Sequence, residues 1–390
     1  MKQIYIIYLS QFLCGFAMIA SFTPLYFLSH GISQYQLGLL LGANILTLSL
    51  FDIPTGAIAD LFGHKFSVFL GTLIWSFSYL LLFFVSGFPL FLVCMIISGI
   101  GGSLISGAFT SLIYELLDKN GNRKDFQKVY GTAGGLFLVG SVIGVSAGGF
   151  IYQYQANLIF LVSFVFTFLG AMSMLLISSK KSRPSFSPYS YTTNMFKGFS
   201  FAIHNQSLLA LSLLSIGLSF GIFVINTIKQ PLLVDYGFSI PEIGYITAIV
   251  SGLSAFVLIY AHDILRQFGA FTTIISLGII CVLSLILISM ASPMFAMILL
   301  ILYQITPSLR DPAIADWQQS HIADAQRATV NSTVSFITRI VIAISLPLWG
   351  NITDAVGMRS SLLYLAFLTS VISVIGFHWY KQSILKKKKK

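Results

Sequence analysis

Long apolar segments alternate with short polar ones along the whole chain. The hydrocarbon core of a bilayer is about 30 Å thick, and an α-helix of about 20 residues crosses it at 1.5 Å per residue. Twelve segments meet this requirement, and each predicts a membrane-spanning helix. The predicted spans are residues 4–29, 36–58, 66–86, 89–116, 128–151, 157–178, 206–234, 241–261, 271–291, 294–316, 328–350 and 359–380.

The composition indicates the same class of protein. Of 390 residues, 56% are hydrophobic and only 9% are charged, and the mean hydropathy is +0.88. Soluble domains carry about 25% charged residues, so a soluble enzyme, a nucleic-acid-binding domain and a disordered protein are excluded. Cys14, Cys94 and Cys281 lie within apolar segments at spacings that match no metal or disulfide motif. We therefore predict an all-α integral membrane protein without a metal site.

The distribution of basic residues predicts the orientation of the chain. With the N-terminus inside, 18 of the 22 Lys and Arg residues fall in inner segments, and Arg359 alone falls in an outer one. The remaining three lie within spans. Because cytoplasmic loops are enriched in Lys and Arg, both termini are predicted to be cytoplasmic. The protein is expected to be a multi-pass protein of the cytoplasmic (inner) membrane.

A polar stretch of Ser, Pro and Lys divides the predicted spans into two sets of six. We predict an N-terminal six-helix bundle at residues 1–178, a cytoplasmic linker at 179–198 and a C-terminal six-helix bundle at 199–390. The last bundle carries a basic tail, Lys386 to Lys390, that could contact anionic lipid.

A short motif is repeated at opposite membrane faces. Gly-x-x-x-Asp-x-x-Gly occurs at residues 56–63, after the second span, and at residues 350–357, after the eleventh. A looser copy at 263–269 follows the eighth span. The first copy is predicted to face inside and the second outside. Equivalent turns on opposite faces indicate three-helix units repeated in inverted orientation, as in a large class of transporters.

The motif at residues 56–65 resembles the signature loop of the major facilitator superfamily. His64 stands where a basic residue is usual, and Leu61 where Arg is common. Asp-Ile-Pro-Thr-Gly at 52–56 and Arg-Ala-Thr-Val-Asn-Ser at 327–332 resemble a bacterial drug-efflux-like branch. The resemblance covers essentially the whole chain. It implies a monomer of two six-helix bundles that moves a small molecule by alternating access, without a cofactor and driven by a proton gradient.

The resemblance also implies a gating role for four residues of the signature loop. Gly56 would allow close helix approach, and Gly63 would permit a tight turn with positive φ. Asp60 would contact the eleventh helix, in the other half of the chain, and Lys65 completes the basic end of the loop. Such a contact can exist in only one access state, so it would bias the equilibrium between states.

Glycines in the fifth span predict close helix packing. Gly131, Gly140, Gly144 and Gly148 follow the spacing of a signature associated with exporters in this superfamily, with Val145 where the family has Pro. Glycines thin one face of a helix and let a neighbouring backbone approach. The pattern favours export.

Charged residues within spans are the candidates for coupling to protons, because each is costly in lipid and needs a partner or water. The candidates for a proton-coupling or charge network are Asp52, Glu115, Arg310, Asp311 and Arg339. A carboxylate whose distance to a cation changes can bind and release a proton. A static ion pair remains the alternative for Asp52 and Asp311, and extension to the membrane surface for Glu115.

The expected function is secondary active transport, with proton-coupled export of a drug or metabolite favoured. The chain has neither a phosphate-binding Gly-Lys-Ser/Thr loop nor a Gly-x-Ser-x-Gly motif, so we expect no enzyme and no direct use of ATP. One alternative is a proton-coupled symporter that imports a sugar, peptide or metabolite. Another is a membrane sensor or lipid-handling protein. The expected partners are a small-molecule substrate and membrane lipid, without nucleic acid.

Site-specific labelling tests the predicted orientation. In intact cells, a Lys181→Cys variant should remain unlabelled by a membrane-impermeant maleimide until the membrane is permeabilised, because residue 181 is predicted to be cytoplasmic. A His30→Cys variant, in a predicted outer loop, is the matched control and should be labelled without permeabilisation. Labelling of residue 181 from outside would contradict the orientation.

Overall fold

The structure is a computed structural model that describes residues 2–118, 122–178, 206–321 and 327–388. The described residues form helices joined by short turns, and no strand occurs among them. The predicted linker at 179–198 lies outside the described residues. The all-α prediction is confirmed.

In the first half of the chain, the described residues form seven α-helices. Pro24, at the start of the second of these helices, lacks a backbone N–H, and the first predicted span is accordingly divided into α1, a 3-10 helix at Ala17–Phe22 and α2. The helices are α1 (Lys2–Phe16), α2 (Thr23–Ser29), α3 (Gln34–Phe62), α4 (His64–Phe84), α5 (Phe88–Asp118), α6 (Phe126–Tyr154) and α7 (Leu158–Leu175).

In the second half, the described residues form seven further α-helices. The tenth predicted span is divided into two helices at Pro307, where the missing N–H again interrupts the helix. The helices are α8 (Gln206–Asp235), α9 (Ile240–Phe268), α10 (Ala270–Met290), α11 (Pro293–Ile305), α12 (Pro307–His321), α13 (Arg327–Val356) and α14 (Met358–Lys388).

The predicted membrane spans correspond to these helices. Eleven segments of the described residues are long and apolar enough to cross a membrane, and they coincide with eleven of the predicted spans. The remaining predicted span, residues 206–234, coincides with the 30-residue helix α8. The prediction of a multi-pass helical membrane protein is therefore confirmed.

Single glycines form the turns of the repeated motif. Gly63, Gly269 and Gly357 have φ values of 95°, 78° and 84°, and each is the single residue between two helices. A side chain is strongly disfavoured at such φ values, so glycine permits the chain to reverse there in one residue. The three copies of the motif therefore form equivalent turns, as inverted repeats require.

The chain divides into two compact units. The first contains most of the helices of the first half together with Ser239–Gly252, and the second contains most of those of the second half together with Ser33–Gly38. In the first unit, a buried cluster around Ile7, Leu112, Leu116 and Met174 joins α1, α5 and α7. In the second, α8 packs against α14, where the Cβ that an alanine would place at Gly217 lies 3.0 Å from Ile372.

Two glycines of the fifth predicted span bring the backbones of α6 and α1 into contact. A Cβ at Gly140 would lie 2.3 Å from the Phe12 carbonyl oxygen, and one at Gly144 would lie 2.1 Å from that of Phe16. Gly131 takes no part in this contact, because within the described residues a Cβ there would meet no neighbouring helix within 4 Å. Gly148 is buried.

Alanine substitutions along α6 test this packing. We expect Gly140→Ala and Gly144→Ala to destabilise the protein by about 1–3 kcal/mol, because the new methyl group overlaps backbone atoms that cannot rotate away. Gly131→Ala is the matched control in the same helix and should be neutral or stabilising, by up to about 1 kcal/mol. Thermal melting of the purified protein measures the difference, and equal melting temperatures for all three variants would contradict it.

Candidate functional site

The second copy of the repeated motif caps the beginning of a helix from the other half of the chain. Asp354, in the last turn of α13, accepts hydrogen bonds from the backbone N–H groups of Gln34 and Tyr35, each at 2.9 Å. These amides belong to the first turn of α3, where an α-helix leaves its N–H groups without an internal acceptor. The carboxylate also complements the positive end of the helix dipole.

Glycines allow α3 and α13 to approach closely enough for this bond. A Cβ at Gly350 would lie 2.2 Å from the Gln34 carbonyl oxygen, and one at Gly38 would lie 2.5 Å from that of Leu346. Both distances are far below van der Waals contact. Gly350 and Asp354 thus act together: the glycine admits the backbone of α3, and the carboxylate caps it. We call Gln34, Tyr35, Gly350 and Asp354 the Asp354 contact.

The first copy of the motif is arranged differently. Asp60 is half-buried near the end of α3, and no hydrogen bond or ion pair of its carboxylate is found within the parts of the chain that the structure describes. Lys65 donates a hydrogen bond to the Leu175 carbonyl oxygen at 2.9 Å, joining α4 to the end of α7. A Cβ at Gly56 would meet nothing within 4 Å among the described residues. The gating role of Asp60 stays a prediction.

The residue after the Gly63 turn forms a pair that the sequence reasoning missed. His64 Nδ1 lies 2.7 Å from Glu115 Oε1, and the two side chains are 18% and 28% exposed. The pair joins α4 to α5 at the end of the signature turn. His64 stands where another basic residue is usual, and this departure is visible in the sequence. Its partner Glu115 is 51 residues away, so the sequence does not indicate the pair. Glu115 therefore has a defined partner.

Asp52 lies on α3 and faces α5. Its Oδ1 atom accepts a hydrogen bond from Ser106 Oγ at 3.0 Å, and the residue is half-buried. One turn further along α3, Thr55 donates to the Phe51 carbonyl oxygen at 2.7 Å. The first unit thus contains two of the predicted charges, Asp52 and Glu115, each with a named neighbour on α4 or α5.

Arg310 and Asp311 form the polar centre of α12. Arg310 Nε lies 2.7 Å from Asp311 Oδ1, and Nη2 contacts the same oxygen. Its Nη1 donates to Ser219 Oγ of α8 at 3.0 Å. The side chain of Arg310 is only 14% exposed, whereas that of Asp311 is 63% exposed. Arg310 is therefore fixed between two helices, and Asp311 remains accessible. Arg339, the fifth predicted charge, is half-buried in α13.

A second polar group joins α8 to α14. Arg359 donates to Asp235 Oδ2 and to the Asp235 carbonyl oxygen, both at 2.6 Å, and its guanidinium lies 4.0 Å from the centre of the Tyr236 ring. Tyr236 donates its hydroxyl to the Ile288 carbonyl oxygen. Burial raises the pKa of the Tyr236 phenol, against the opposing effect of the Arg359 cation. These contacts tie the ends of α8, α10 and α14 together.

The side chains of the described residues offer no group of three His, Cys, Asp or Glu that could hold a metal ion. The arrangement caps a helix start with a carboxylate and holds charged side chains between neighbouring helices.

Helical spans joined by equivalent glycine turns, with a carboxylate of the repeated motif capping a helix from the other half of the chain, make this a multi-pass helical membrane protein. The sequence model of the Major Facilitator Superfamily matches residues 4–345. The chain belongs to this superfamily.

Curated relatives match part of the chain. The quinolone resistance protein NorA of Staphylococcus aureus is 24% identical over 176 residues, which are 45% of this chain and 43% of NorA. An uncharacterised MFS-type transporter of Methanocaldococcus jannaschii, MJ1560, is 26% identical over a match of the same extent. The chain thus aligns with less than half the length of these relatives.

Solved structures match the fold over nearly the whole chain. A D323A mutant of the nucleoside transporter NupG superposes with a TM-score of 0.86 at 13% identity, covering 97% of this chain and 99% of NupG. A bacterial homologue of the human lysosomal transporter Spinster superposes with a TM-score of 0.77 at 15% identity, covering 98% and 96%. At this identity the likeness establishes the fold.

Hydrogen exchange tests the Asp354 contact. In an Asp354→Asn variant, the amides of Gln34 and Tyr35 should exchange roughly ten to a hundred times faster, because a charge-assisted hydrogen bond contributes about 1.5–3 kcal/mol. Gly350→Ala should have the same effect by forcing the backbones apart.

A second helix start in this protein is the control. Glu242 accepts a hydrogen bond from the Ser239 N–H at 2.8 Å, at the beginning of α9. Glu242→Gln should change exchange there and leave the peptide around residues 33–38 unaltered. Unchanged exchange of that peptide in Asp354→Asn would contradict the capping role.

Proposed function

We propose that this protein exports a small molecule, a drug or a metabolite, across the cytoplasmic membrane in exchange for protons that move inward. The Asp354 contact carries the proposal. Its Gly350 and Asp354 belong to a copy of the superfamily's signature motif, and they contact a helix start more than 300 residues away in the sequence. Its hydrogen bonds run from two backbone amides to a side-chain carboxylate, and water can replace them. Both termini are proposed to be cytoplasmic, and the transporter to act as a monomer.

The two copies of the motif give the proposed cycle its two states. In one state Asp354 caps α3 at the outer face, and in the other Asp60 makes the equivalent contact at the inner face. A capping bond of about 1.5–3 kcal/mol changes a two-state ratio by roughly ten- to a hundred-fold. Each contact would thus hold its own state without preventing the exchange between them.

Asp311 is the proposed proton carrier. It is accessible and paired with Arg310, which Ser219 and burial hold in place. A carboxylate can take part in proton coupling if its distance to a neighbouring cation changes during the transport cycle. Because Arg310 also bonds Ser219 of α8, a movement of α12 relative to α8 would change the distance between Arg310 and Asp311. Asp52, bound by the small hydroxyl of Ser106, has the structural alternative of fixing α3 against α5.

The direction of transport is proposed from two features. The glycines of α6 follow an exporter-associated spacing, and Gly140 and Gly144 pack as that spacing requires. The partial match to NorA, a protein named for quinolone resistance, supports a drug or another amphipathic molecule as cargo. A quinolone is therefore the first probe, followed by a panel of toxic compounds.

Transport by the purified protein in liposomes tests the proposal. With an imposed pH gradient, uptake of a fluorescent quinolone into vesicles that are acidic inside should exceed that of protein-free vesicles. Asp311→Asn should lower gradient-driven transport at least about ten-fold, because the amide cannot carry the proton. Exchange of labelled for unlabelled probe without a gradient should be retained.

Asp118→Asn is the matched control, since Asp118 is an exposed carboxylate paired with Arg123 at the end of α5. This variant should transport at the normal rate. Flux of protons and probe in the same direction would contradict export and favour the symporter. Absence of flux for every compound would favour a sensor or lipid-handling protein.

A further inference from the structure

One face of α8 carries polar side chains, and it is opposite the face that packs against α14. Gly217 faces α14, since a Cβ there would lie 3.0 Å from Ile372. Asn226 follows Gly217 by nine residues, which is about two and a half helical turns, so it lies on the opposite side of α8. Lys229 and Gln230 follow Asn226 by three and four residues and share its face. We call Asn226, Lys229 and Gln230 the Lys229 face.

Lys229 lies within the membrane-spanning helix α8 and is half-buried. It is six residues before the end of the helix at Asp235, which is about 9 Å at 1.5 Å per residue. Side chains of an α-helix leave the backbone tilted toward the N-terminus of the helix, so a lysine here starts away from the nearer end of α8. Extension to the membrane surface at that end is therefore disfavoured. An ammonium group at this depth needs a partner or water.

The described residues supply no anion to Lys229. Among them, its ammonium group has neither an ion pair nor a hydrogen bond. Asp235, the acidic residue that follows on α8, is bound to Arg359 at 2.6 Å. Asp311, on α12, is bound to Arg310. The positive charge of the Lys229 face is therefore open to an anion that a bound molecule brings.

Gln230 is a second polar group on this face without a protein partner. The residue is 0% exposed, and within the described ranges neither its Nε2 nor its Oε1 atom has a hydrogen bond. Buried polar atoms in proteins nearly always have one, so this exception calls for a partner that the chain does not supply. Asn226, one turn away, is exposed and carries a second amide. Each amide has an NH₂ group that donates and an oxygen that accepts.

The chemistry of the Lys229 face indicates the class of molecule that it binds. An ammonium group and amide N–H groups bind a carboxylate through charge-assisted hydrogen bonds, which are about twice as strong as neutral ones. One cation neutralises one charge, so a monocarboxylate fits better than a doubly charged phosphate. A cationic molecule would be repelled by Lys229, and a neutral one would leave the charge of Lys229 unmatched.

We propose that Lys229 binds the carboxylate of the transported molecule, with Asn226 and Gln230 donating hydrogen bonds from their side-chain amides. The substrates are then organic monocarboxylic acids, and Lys229 selects them over cationic and neutral compounds. This assignment rests on the proposed function, because it concerns the molecule that is transported, and it adds the charge of that molecule.

Equilibrium binding of matched acids and amides tests the proposal. The purified full chain is titrated, without a pH gradient, with benzoate, with a quinolone carboxylic acid that lacks a basic amine, and with the carboxamide of each. At least one acid should bind about ten times more tightly than its amide, because the amide has no charge to pair with Lys229. Lys229→Gln should remove this preference, and so should Lys229→Met. Lys229→Arg keeps the charge and should retain the preference.

Lys128→Gln is the matched control, since Lys128 is an exposed lysine in the first turn of α6. This variant loses the same charge and should keep the preference of the wild type. Equal affinities of the wild type for each acid and its amide, or no binding of any of them, would overturn the proposal. So would a preference that persists in folded Lys229→Gln and Lys229→Met.

Transport of the same compounds in liposomes separates this proposal from export. Equal rates for acid and amide in both the wild type and Lys229→Gln would show that the assignment of Lys229 is wrong while transport stands. Absence of flux for every compound, together with acid binding that depends on Lys229, would show that export is wrong while the carboxylate site stands.

Discussion

The first turn of a helix is the constraint on which this protein's proposed mechanism depends. The amides of Gln34 and Tyr35 have no acceptor within α3, so they need one from water or from another part of the chain. Asp354 satisfies both at 2.9 Å with the two oxygens of one carboxylate. Because the contact is made with backbone amides of α3, it does not depend on which side chains stand at residues 34 and 35.

Close backbone approach makes such contacts possible, and glycine provides it at each of them. Gly350 and Gly38 let α13 and α3 meet, and Gly140 and Gly144 let α6 meet α1. In lipid, helices gain little from burying apolar side chains against each other, so dense backbone packing contributes much of their association. Glycine therefore supports both the static packing of α6 and the Asp354 contact, which must break in the proposed cycle.

The sequence predicts the parts of this structure that depend on local rules. Span positions follow from apolar length alone, and the Gly63, Gly269 and Gly357 turns follow from a motif that only glycine can complete. The partners of charged residues depend on the tertiary structure. Glu115 is 51 residues from His64, and Asp354 is 320 residues from Gln34, so no local pattern joins them. The resemblance implied a contact for Asp60 in the first copy of the motif. Among the described residues, the copy whose aspartate bonds another helix is the second, with Asp354.

The chemistry of the Asp354 contact suits the breaking and re-forming that the proposed cycle requires. Separating a buried ion pair leaves an uncompensated charge in a low dielectric, at a cost of about 3–5 kcal/mol. Gln34, Tyr35 and Asp354 are instead at helix ends, where water can hydrate the amides and the carboxylate once they part. The net strength of the contact is then only the difference between protein and water hydrogen bonds. A motif that joins a close-packing glycine to a capping carboxylate therefore gives the contact a defined geometry with a small net free energy of separation.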